Sequence, residues 1–385
     1  MKFKLKTYEG FVNETLKREM KLPEEVLRIS DLYRKAGKKL FVVGGAVRDF
    51  LQDKAPKDFD LATDATPDES LAILKPHFKT MEVGKAFGVV VATMKNGDQY
   101  EVATFRSDVG KGRRPDSVEF TTIEKDVLRR DLTINALFYD IQKKEIVDLV
   151  GGEEDIRNRR IRTVGNPRDR FEEDPLRKLR AIRFATRMGG ELDAETYAAL
   201  REDPSLQGVS PERIRDEFVK ILATAHNLRD AINLLHDLKF FPYIFPNLKV
   251  ETDEVVEKNL VATLALLVRN NDPNSVNREL NKLTYTREEV SAIVFLLKLQ
   301  NLSQDNAYEL KRMQERSSLR NDPKTVEEFA SRVIPIEDAK AFASYEISTQ
   351  GQDLESEGFT GVELGKKMKE LETQKYIEHH KKYLL

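Results

Sequence analysis

The sequence predicts an α+β fold: a small mixed or antiparallel sheet near the N-terminus, followed by an all-helical remainder. Three observations predict it. Residues 41–105 carry short strand-like runs, FVV, DFDLAT, FGVVVATM and QYEVATF, bounded by Gly, Pro and Asn-Gly. Beyond about residue 153 the apolar residues recur at helical spacing. The first glycine turn lacks GxGxxG and the acidic pair comes from a neighbouring strand, which excludes a Rossmann unit.

Taken in order, residues 1–40 read as helices, first a polar segment and then LPEEVLRISDLYRKAG, stopped by Gly37. KLFVVGG is a strand running into Gly44-Gly45, and AVRDFL, with Arg48 and Asp49, is a short helix. The next strand carries Asp58 and Asp60. Side chains two apart on a strand point to one side, so both carboxylates can face one small volume. Thr66 with Pro67 and Glu69 predicts a capping box opening a helix over residues 67–75. Asn96-Gly97 predicts a hairpin between the two strands that follow, the second of which bears Glu101.

RSDVGKGRRPDSVEF, residues 106–120, is a polar loop with four basic side chains, beginning with Arg106. It is either an ordinary surface loop or one whose cations close over phosphates. KDVLRRDLTINALFYD shifts to a helical period, which sets Asp131 and Asn135 four apart on one face beside Arg130. Both are poor interior helix residues, so that face has a polar task. KKEIVDLVGG is a last short strand, and the edge of the first domain falls near Gly152.

Asp174 is placed to cap a helix beginning at Pro175 and ending at Gly189-Gly190, with a Leu176, Leu179 and Ile182 stripe flanked by Arg177 and Arg180. Glu173, Asp174 and Arg177 therefore sit at its first turn. A carboxylate and an Arg fork can complement the Watson–Crick edge of a base; an internal cap and salt bridge explain the same residues equally well. VSPERIRDEF opens another helix at Ser210-Pro211, and helical spacing continues from Phe218 to about Ile334 and into a smaller tail. His236-Asp237 resembles half of a metal pair but has no HxxxH beside it, so it reads as ordinary helix surface.

The 385 residues allow two to four domains. With 40% hydrophobic and 34% charged residues there is no apolar run near the roughly 18 residues that span a bilayer. The first residues lack a secretion-signal pattern, and the absence of cysteine excludes disulfides, thiolate nucleophiles and cysteine-bound zinc; a cytoplasmic protein is expected. Net charge is −2, but Arg157 to Arg187 holds eleven Lys/Arg against four acids. That band is either a surface for a phosphate backbone or a solvated helix face. Likewise Gly44-Gly45 with Asp58 and Asp60 suits a divalent cation carrying a nucleoside triphosphate, or is a tight turn beside two solvated acids. Glu101 is either a third carboxylate of that site or a residue of the solvent face.

GGAVRD, DFDLATD, RRDLTINAL, DLVGG, EEDPLRKLRAIRF and ERIRDEF occur in this order over roughly residues 40–220. In this combination the chain resembles the class II tRNA nucleotidyltransferases, the CCA-adding enzymes, a group that shares its head and neck with bacterial poly(A) polymerases. A string from Gly351 through Gly361 to Gly365 resembles the family's tail. The resemblance implies a nucleotidyltransferase head at residues 1–152, a neck at 153–217, a body at 218–334 and a tail at 335–385. It assigns two Mg2+ ions to Asp58 and Asp60, with Glu101 and Arg106 counted in the same catalytic set. Gly44 and Gly45 fall near the triphosphate, with Arg48 and Asp49 in the same motif and Arg48 counted among the nucleotide-binding residues; Arg130, Asp131 and Asn135 fall at the sugar and phosphate. Glu173, Asp174, Arg177 and Arg180 fall to nucleotide binding, with Asp174 and Arg177 facing the base. Arg213 and Arg215 carry over as structural support alone.

The implied activity is template-independent addition of CMP, CMP and AMP to the tRNA 3′ end from CTP and ATP, by a monomer or homodimer away from any membrane. Three alternatives stay open: a poly(A) polymerase, an enzyme adding only CC or only A, and a noncatalytic RNA-binding protein. Retention of residues 106–120 favours full CCA or A addition, because CC-only members tend to shorten that loop. The paired carboxylates argue against the noncatalytic reading, since they are expensive to hold together without a cation.

Overall fold

The computed structural model describes residues 19–82, 88–109 and 117–384, which fall into two compact units, Met1–Val209 and Ser210–Leu385. The polar segment expected within residues 1–18 and the middle of the basic loop, residues 110–116, lie outside the described residues.

The first unit starts with α1 (Glu24–Lys35), which buries Val26, Ile29 and Tyr33 at helical spacing; Gly37 follows it at φ 71°. β1 (Leu40–Val43) is buried at all four positions, which its unbroken apolar run LFVV suits. After α2 (Gly45–Leu51), β2 (Asp60–Thr63) returns antiparallel to β1, setting Asp60 opposite Val43. The capping box at α3 (Pro67–Leu74) forms as the sequence predicts: the Glu69 N–H donates to the Thr66 hydroxyl at 3.3 Å, and the Thr66 N–H to the Glu69 carboxylate at 2.8 Å. β3 (Lys79–Glu82), β4 (Val89–Thr93) and β5 (Gln99–Thr104) extend the sheet. Asn96-Gly97 lies in the β4–β5 hairpin, within a longer connection closed by Met94 N–H to the Asp98 carbonyl, with Gly97 at φ 93°.

β6 (Arg106–Val109) and β7 (Ser117–Phe120) pair as a separate hairpin at the root of the basic loop. The continuous helix expected over residues 125–140 is corrected by the structure. It divides into α4 (Ile123–Leu128), a 3-10 turn at Thr133–Asn135 and β8 (Phe138–Asp140). A short apolar run such as NALFY has no period that separates buried helix from buried strand. Pairing decides it: β8 lies antiparallel along β1, Phe138 opposite Val43, and β9 (Glu145–Val147) pairs with β8.

The resulting sheet runs β3-β4-β5-β2-β1-β8-β9. It is mixed, because β2 and β5 are parallel while its other neighbours are antiparallel. The sheet therefore reaches well past residue 105. Phe41, Phe105 and Phe138 meet on one face with ring centroids 5.7 to 6.1 Å apart, and Ile123 and Val127 of α4 pack into the same core. The segment containing Arg129 to Asn135 is thus laid across the sheet by apolar packing on both of its flanks.

α5 (Gly152–Arg157) approaches the 3-10 turn so closely that a Cβ on Gly152 would stand 2.3 Å from the Thr133 carbonyl oxygen. β10 (Arg160–Ile161), α6 (Pro167–Glu173), α7 (Leu176–Met188), β11 (Glu191–Leu192) and α8 (Ala194–Glu202) complete the unit, with β10 and β11 parallel. α7 buries Leu176, Leu179 and Ile182 as the stripe predicts and ends at Gly189 with φ 56°.

The second unit is helical among its described residues, from Pro211–Thr224 to Gly361–Lys381. The two most apolar runs are buried helices, Leu260–Leu267 and Arg287–Leu299. Among the described residues no helix is long and apolar enough to cross a membrane. His236 and Asp237 are both exposed on their helix.

Candidate functional site

The site is built where β1, β2 and the turn before β8 end together. Gly44 closes β1 at φ 68° and donates its N–H to the Leu137 carbonyl at 3.1 Å, a conformation that favours glycine. A Cβ there would stand 3.8 Å from Arg130 Nη1 and from the Asn135 carbonyl oxygen, so both residues line the glycine turn. Gly45 begins α2.

Asp60 is the first residue of β2, whereas Asp58 stands two residues ahead, in the connection and not on the strand as expected. Both are exposed. Desolvation by the crowded surroundings raises the Asp60 carboxyl above its ordinary pKa; Arg130 opposes this and the Asp58 charge adds to it. The Asp58 charge weighs on the Asp60 carboxylate, a penalty that a divalent cation would relieve, so these residues fit such an ion. Glu101 lies on the exposed face of β5, and the parallel register of Leu61 with Val102 sets it level with Asp60. Among the described residues no group of three His, Cys, Asp or Glu gathers as a metal cluster, so Glu101 is not drawn into one with the aspartates.

Arg48 is buried and works as a tie. Its Nη1 donates to Asn135 Oδ1 at 2.6 Å, its Nε and Nη2 to Asp49 Oδ1 at 3.0 and 2.8 Å, and its guanidinium lies 5.0 Å from the centre of the Phe184 ring. Burial lowers its pKa and Asp49 counters that shift. Asp131 and Asn135 do not share a helix face; the bend and 3-10 turn bring them within 3.4 Å all the same. Burial pushes the Asp131 carboxyl up, but Arg180, at 2.6–2.7 Å, and the Leu132 N–H, at 2.8 Å, hold it below the usual carboxylate range. Arg130 donates to Asp126 at 3.0–3.1 Å and lies 4.7 Å from the centre of the Phe138 ring.

α6 and α7 bring the remaining residues onto this same segment. Asp174 is buried at their junction and its Oδ1 accepts the Leu176 N–H at 3.2 Å; the helix expected to start at Pro175 under an Asp174 cap starts at Leu176, with Pro175 at its N-cap and Asp174 closing α6. Glu173 accepts from Arg170 and, at 2.7 Å, from Arg177 Nη1. Arg177 also donates through Nη1 to the Arg170 carbonyl at 3.4 Å and through Nη2 to the Arg129 carbonyl at 3.0 Å. Three of its five N–H groups are thereby engaged, which fixes the plane of the guanidinium and leaves Nε and one Nη2 hydrogen for another acceptor. The salt bridge is present, and with the Asp174–Leu176 bond it holds these side chains in place.

The basic band is largely neutralised from within. Arg160 and Arg162 pair with Asp155, Arg168 with Glu202, Arg170 and Arg177 with Glu173, Lys178 with Asp203 and Arg180 with Asp131. Sequence reasoning passed over three residues that matter here. Asp126 and Asp155 are buried acids that each gather two arginines, and Phe184 packs against Arg48, Arg180 and Arg183. The signal available for the acids was spacing: Asp126 stands four residues before Arg130 and Asp155 five before Arg160. Arg106 opens β6 and donates its backbone N–H to Asp126 at 3.2 Å.

Two family models match the chain, the poly A polymerase head domain over residues 40–162 and the probable RNA and SrmB-binding site of polymerase A over residues 191–251. A CCA-adding enzyme of Lactobacillus helveticus is 33% identical over 318 residues, which is 77% of this chain and 78% of that protein. The chain belongs to the CCA-adding enzyme family. A CCA-adding enzyme of Bacillus pumilus is 46% identical over 209 residues, 53% of this chain and 51% of that protein. In its most similar stretches, then, the chain spans about half the length of the curated relatives it matches. The Bacillus stearothermophilus CCA-adding enzyme in complex with CTP superposes with a TM-score of 0.70 at 30% identity, over 92% of both chains. A Thermotoga maritima CCA-adding enzyme complexed with tRNA shares the fold, with a TM-score of 0.69 at 20% identity over 94% of this chain and 96% of that one.

Proposed function

We propose that this family member transfers CMP, CMP and then AMP from CTP and ATP to the 3′ end of tRNA, without a nucleic-acid template. The observation that carries the reading is the convergence on residues 129–135. Arg130 of that segment bears on Asp60, Asp131 and Asn135 tie it to Arg180 and Arg48, and its Arg129 carbonyl holds Arg177. A phosphate end, a sugar position and a base-reading pair therefore lie along one stretch of chain. Membership of the family and the likeness to a CTP-bound relative support the same reading.

In this reading residues 1–152 are the head, 153–217 the neck, 218–334 the body and 335–385 the tail. Asp58 and Asp60 are the side chains for two Mg2+ ions, whose contribution when bound is to neutralise triphosphate oxygens and activate the primer hydroxyl. Arg130 and the Gly44-Gly45 turn receive the phosphates, with Arg106 and Glu101 at the periphery. Asp131 and Asn135 meet the ribose. Asp174 and Arg177 present a carboxylate and a guanidinium to the base edge, donors and an acceptor held by Glu173, Leu176 and Arg129, and Arg180 secures Asp131. tRNA binds through phosphates and A-form shape. The reading assigns this work to the cytoplasm and to a monomer or homodimer.

The test is incorporation with Mg2+ on tRNA transcripts ending before the tail, after C and after CC, given labelled CTP or ATP singly. C on the first two and A on the third supports the proposal. A added to all three favours a poly(A) polymerase, and C or A alone a split activity.

A further inference from the structure

Asp126 has no task in the mechanism above, yet it is 1% exposed and fully engaged. Its Oδ1 accepts from Arg129 Nε at 2.9 Å and from the Arg106 backbone N–H at 3.2 Å; its Oδ2 accepts from Arg130 Nε at 3.1 Å and Nη2 at 3.0 Å. We propose that Asp126 is a positioning residue for nucleotide choice, holding base-reading Arg177 in register with the Asp60 end of the site through Arg129 and Arg130. The proposal rests on the nucleotidyl-transfer reading and adds a residue to it.

The two limbs are short. Fixing the Arg129 side chain on Oδ1 fixes the backbone of residue 129, whose carbonyl takes Arg177 Nη2 at 3.0 Å. Fixing Arg130 by two N–H groups on Oδ2 leaves its Nη1 beside the Asn135 carbonyl at 3.4 Å and its charge on Asp60. The Arg106 N–H ties in the first residue of β6, and so the root of the basic loop. A carboxylate suits this joint because its two oxygens accept four bonds in one plane, and charge-assisted bonds hold direction better than neutral ones. Burial alone would raise the Asp126 carboxyl; Arg130 and Arg129 hold it low, so the joint stays ionised at neutral pH.

A mere structural anchor predicts slower transfer with both nucleotides in equal proportion. A positioning residue predicts altered choice. The experiment compares wild type, Asp126→Asn and Asp126→Glu on a tRNA transcript ending before the tail, measuring kcat/KM for CTP and for ATP and KM for tRNA. Asp126→Asn is expected to lower the CTP/ATP ratio about tenfold or more, the effect of losing one charge-assisted hydrogen bond, with KM for tRNA unchanged. Asp126→Glu, which keeps the charge, recovers part of the ratio. An equal fall for both nucleotides, with the wild-type ratio, overturns the proposal. Should melting show Asp126→Asn unfolded, Arg129→Gln, which removes the Arg129 bond to Oδ1 and leaves Arg130 on Oδ2, carries the same comparison, and an unaltered ratio there overturns it. Wild type that fails to choose C first overturns the functional reading itself, and this proposal with it. Correct wild-type choice with unaltered variants removes only the role of Asp126.

Discussion

Replacing Arg180 by Ala leaves Asp131 as a buried carboxylate without the guanidinium that faces it. Arg180 Nε and Nη2 stand 2.7 and 2.6 Å from Asp131 Oδ2, and the Asp131 side chain is 10% exposed against 34% for Arg180. Removing one partner of a buried pair costs about 3–5 kcal/mol, and partial exposure of Arg180 to solvent lowers this to about 2–3 kcal/mol. For a unit of this size that corresponds to a melting shift of roughly 4–12 °C. The pH dependence carries a sign. In wild type the Asp131 carboxyl is held low, so its contribution is present above the unfolded value of about 4 and is lost as pH falls through the folded value. In Arg180→Ala burial acts unopposed by the guanidinium and raises that carboxyl, so protonation relieves the variant as pH falls. The gap between the two proteins should therefore narrow from pH 7 toward about pH 4. Thermal melts of both across that range, with Asp131→Asn and the double variant to close the cycle, measure it. A gap below about 1 °C at pH 7, or one that widens with acid, refutes the reasoning.

Asp60→Ala should abolish nucleotide transfer while tRNA binding, measured by filter retention, stays within about twofold. Arg177→Ala should blur CTP/ATP choice more than it weakens tRNA binding, and full selectivity in that variant counts against the template role. Phe138→Ala opens the aromatic core under the site and should cost about 3–5 kcal/mol in urea unfolding; a loss under about 1 kcal/mol would show that β8 is not anchored there. Affinity for tRNA should fall as salt rises, by only a few phosphates' worth of slope, because at least seven of the eleven band cations are already ion-paired; a slope near ten contacts would contradict this.

Features whose cause is local were legible in the sequence. The Thr66–Glu69 box, the Asn96-Gly97 hairpin and the Leu176–Leu179–Ile182 stripe each follow from residues within a few positions of one another, and each appears as read. What escaped depends on distant partners. NALFY becomes β8 because β1 has an unpaired edge, and no window of sequence displays that edge. Asp58 falls before β2 because pairing with Val43 begins only at Asp60. Asp126 and Asp155 drew no reading from the sequence, because the arginines that surround them gather only in the fold. At the site, the residue types were legible and their partners were not: the sequence sets Arg48 and Asp49 side by side in one motif, and the fold adds Asn135, 87 residues on, to the same guanidinium.

The central claim is that one site adds C, C and A in order and then stops. Its most direct measurement is product length at single-nucleotide resolution, using a tRNA transcript ending before the tail with excess CTP, ATP and Mg2+ and incubation carried far past completion. The account predicts a single product longer by three nucleotides whose digestion returns C, C and A. A ladder of adenylates, or a product that halts after C or CC with both nucleotides present, would contradict it.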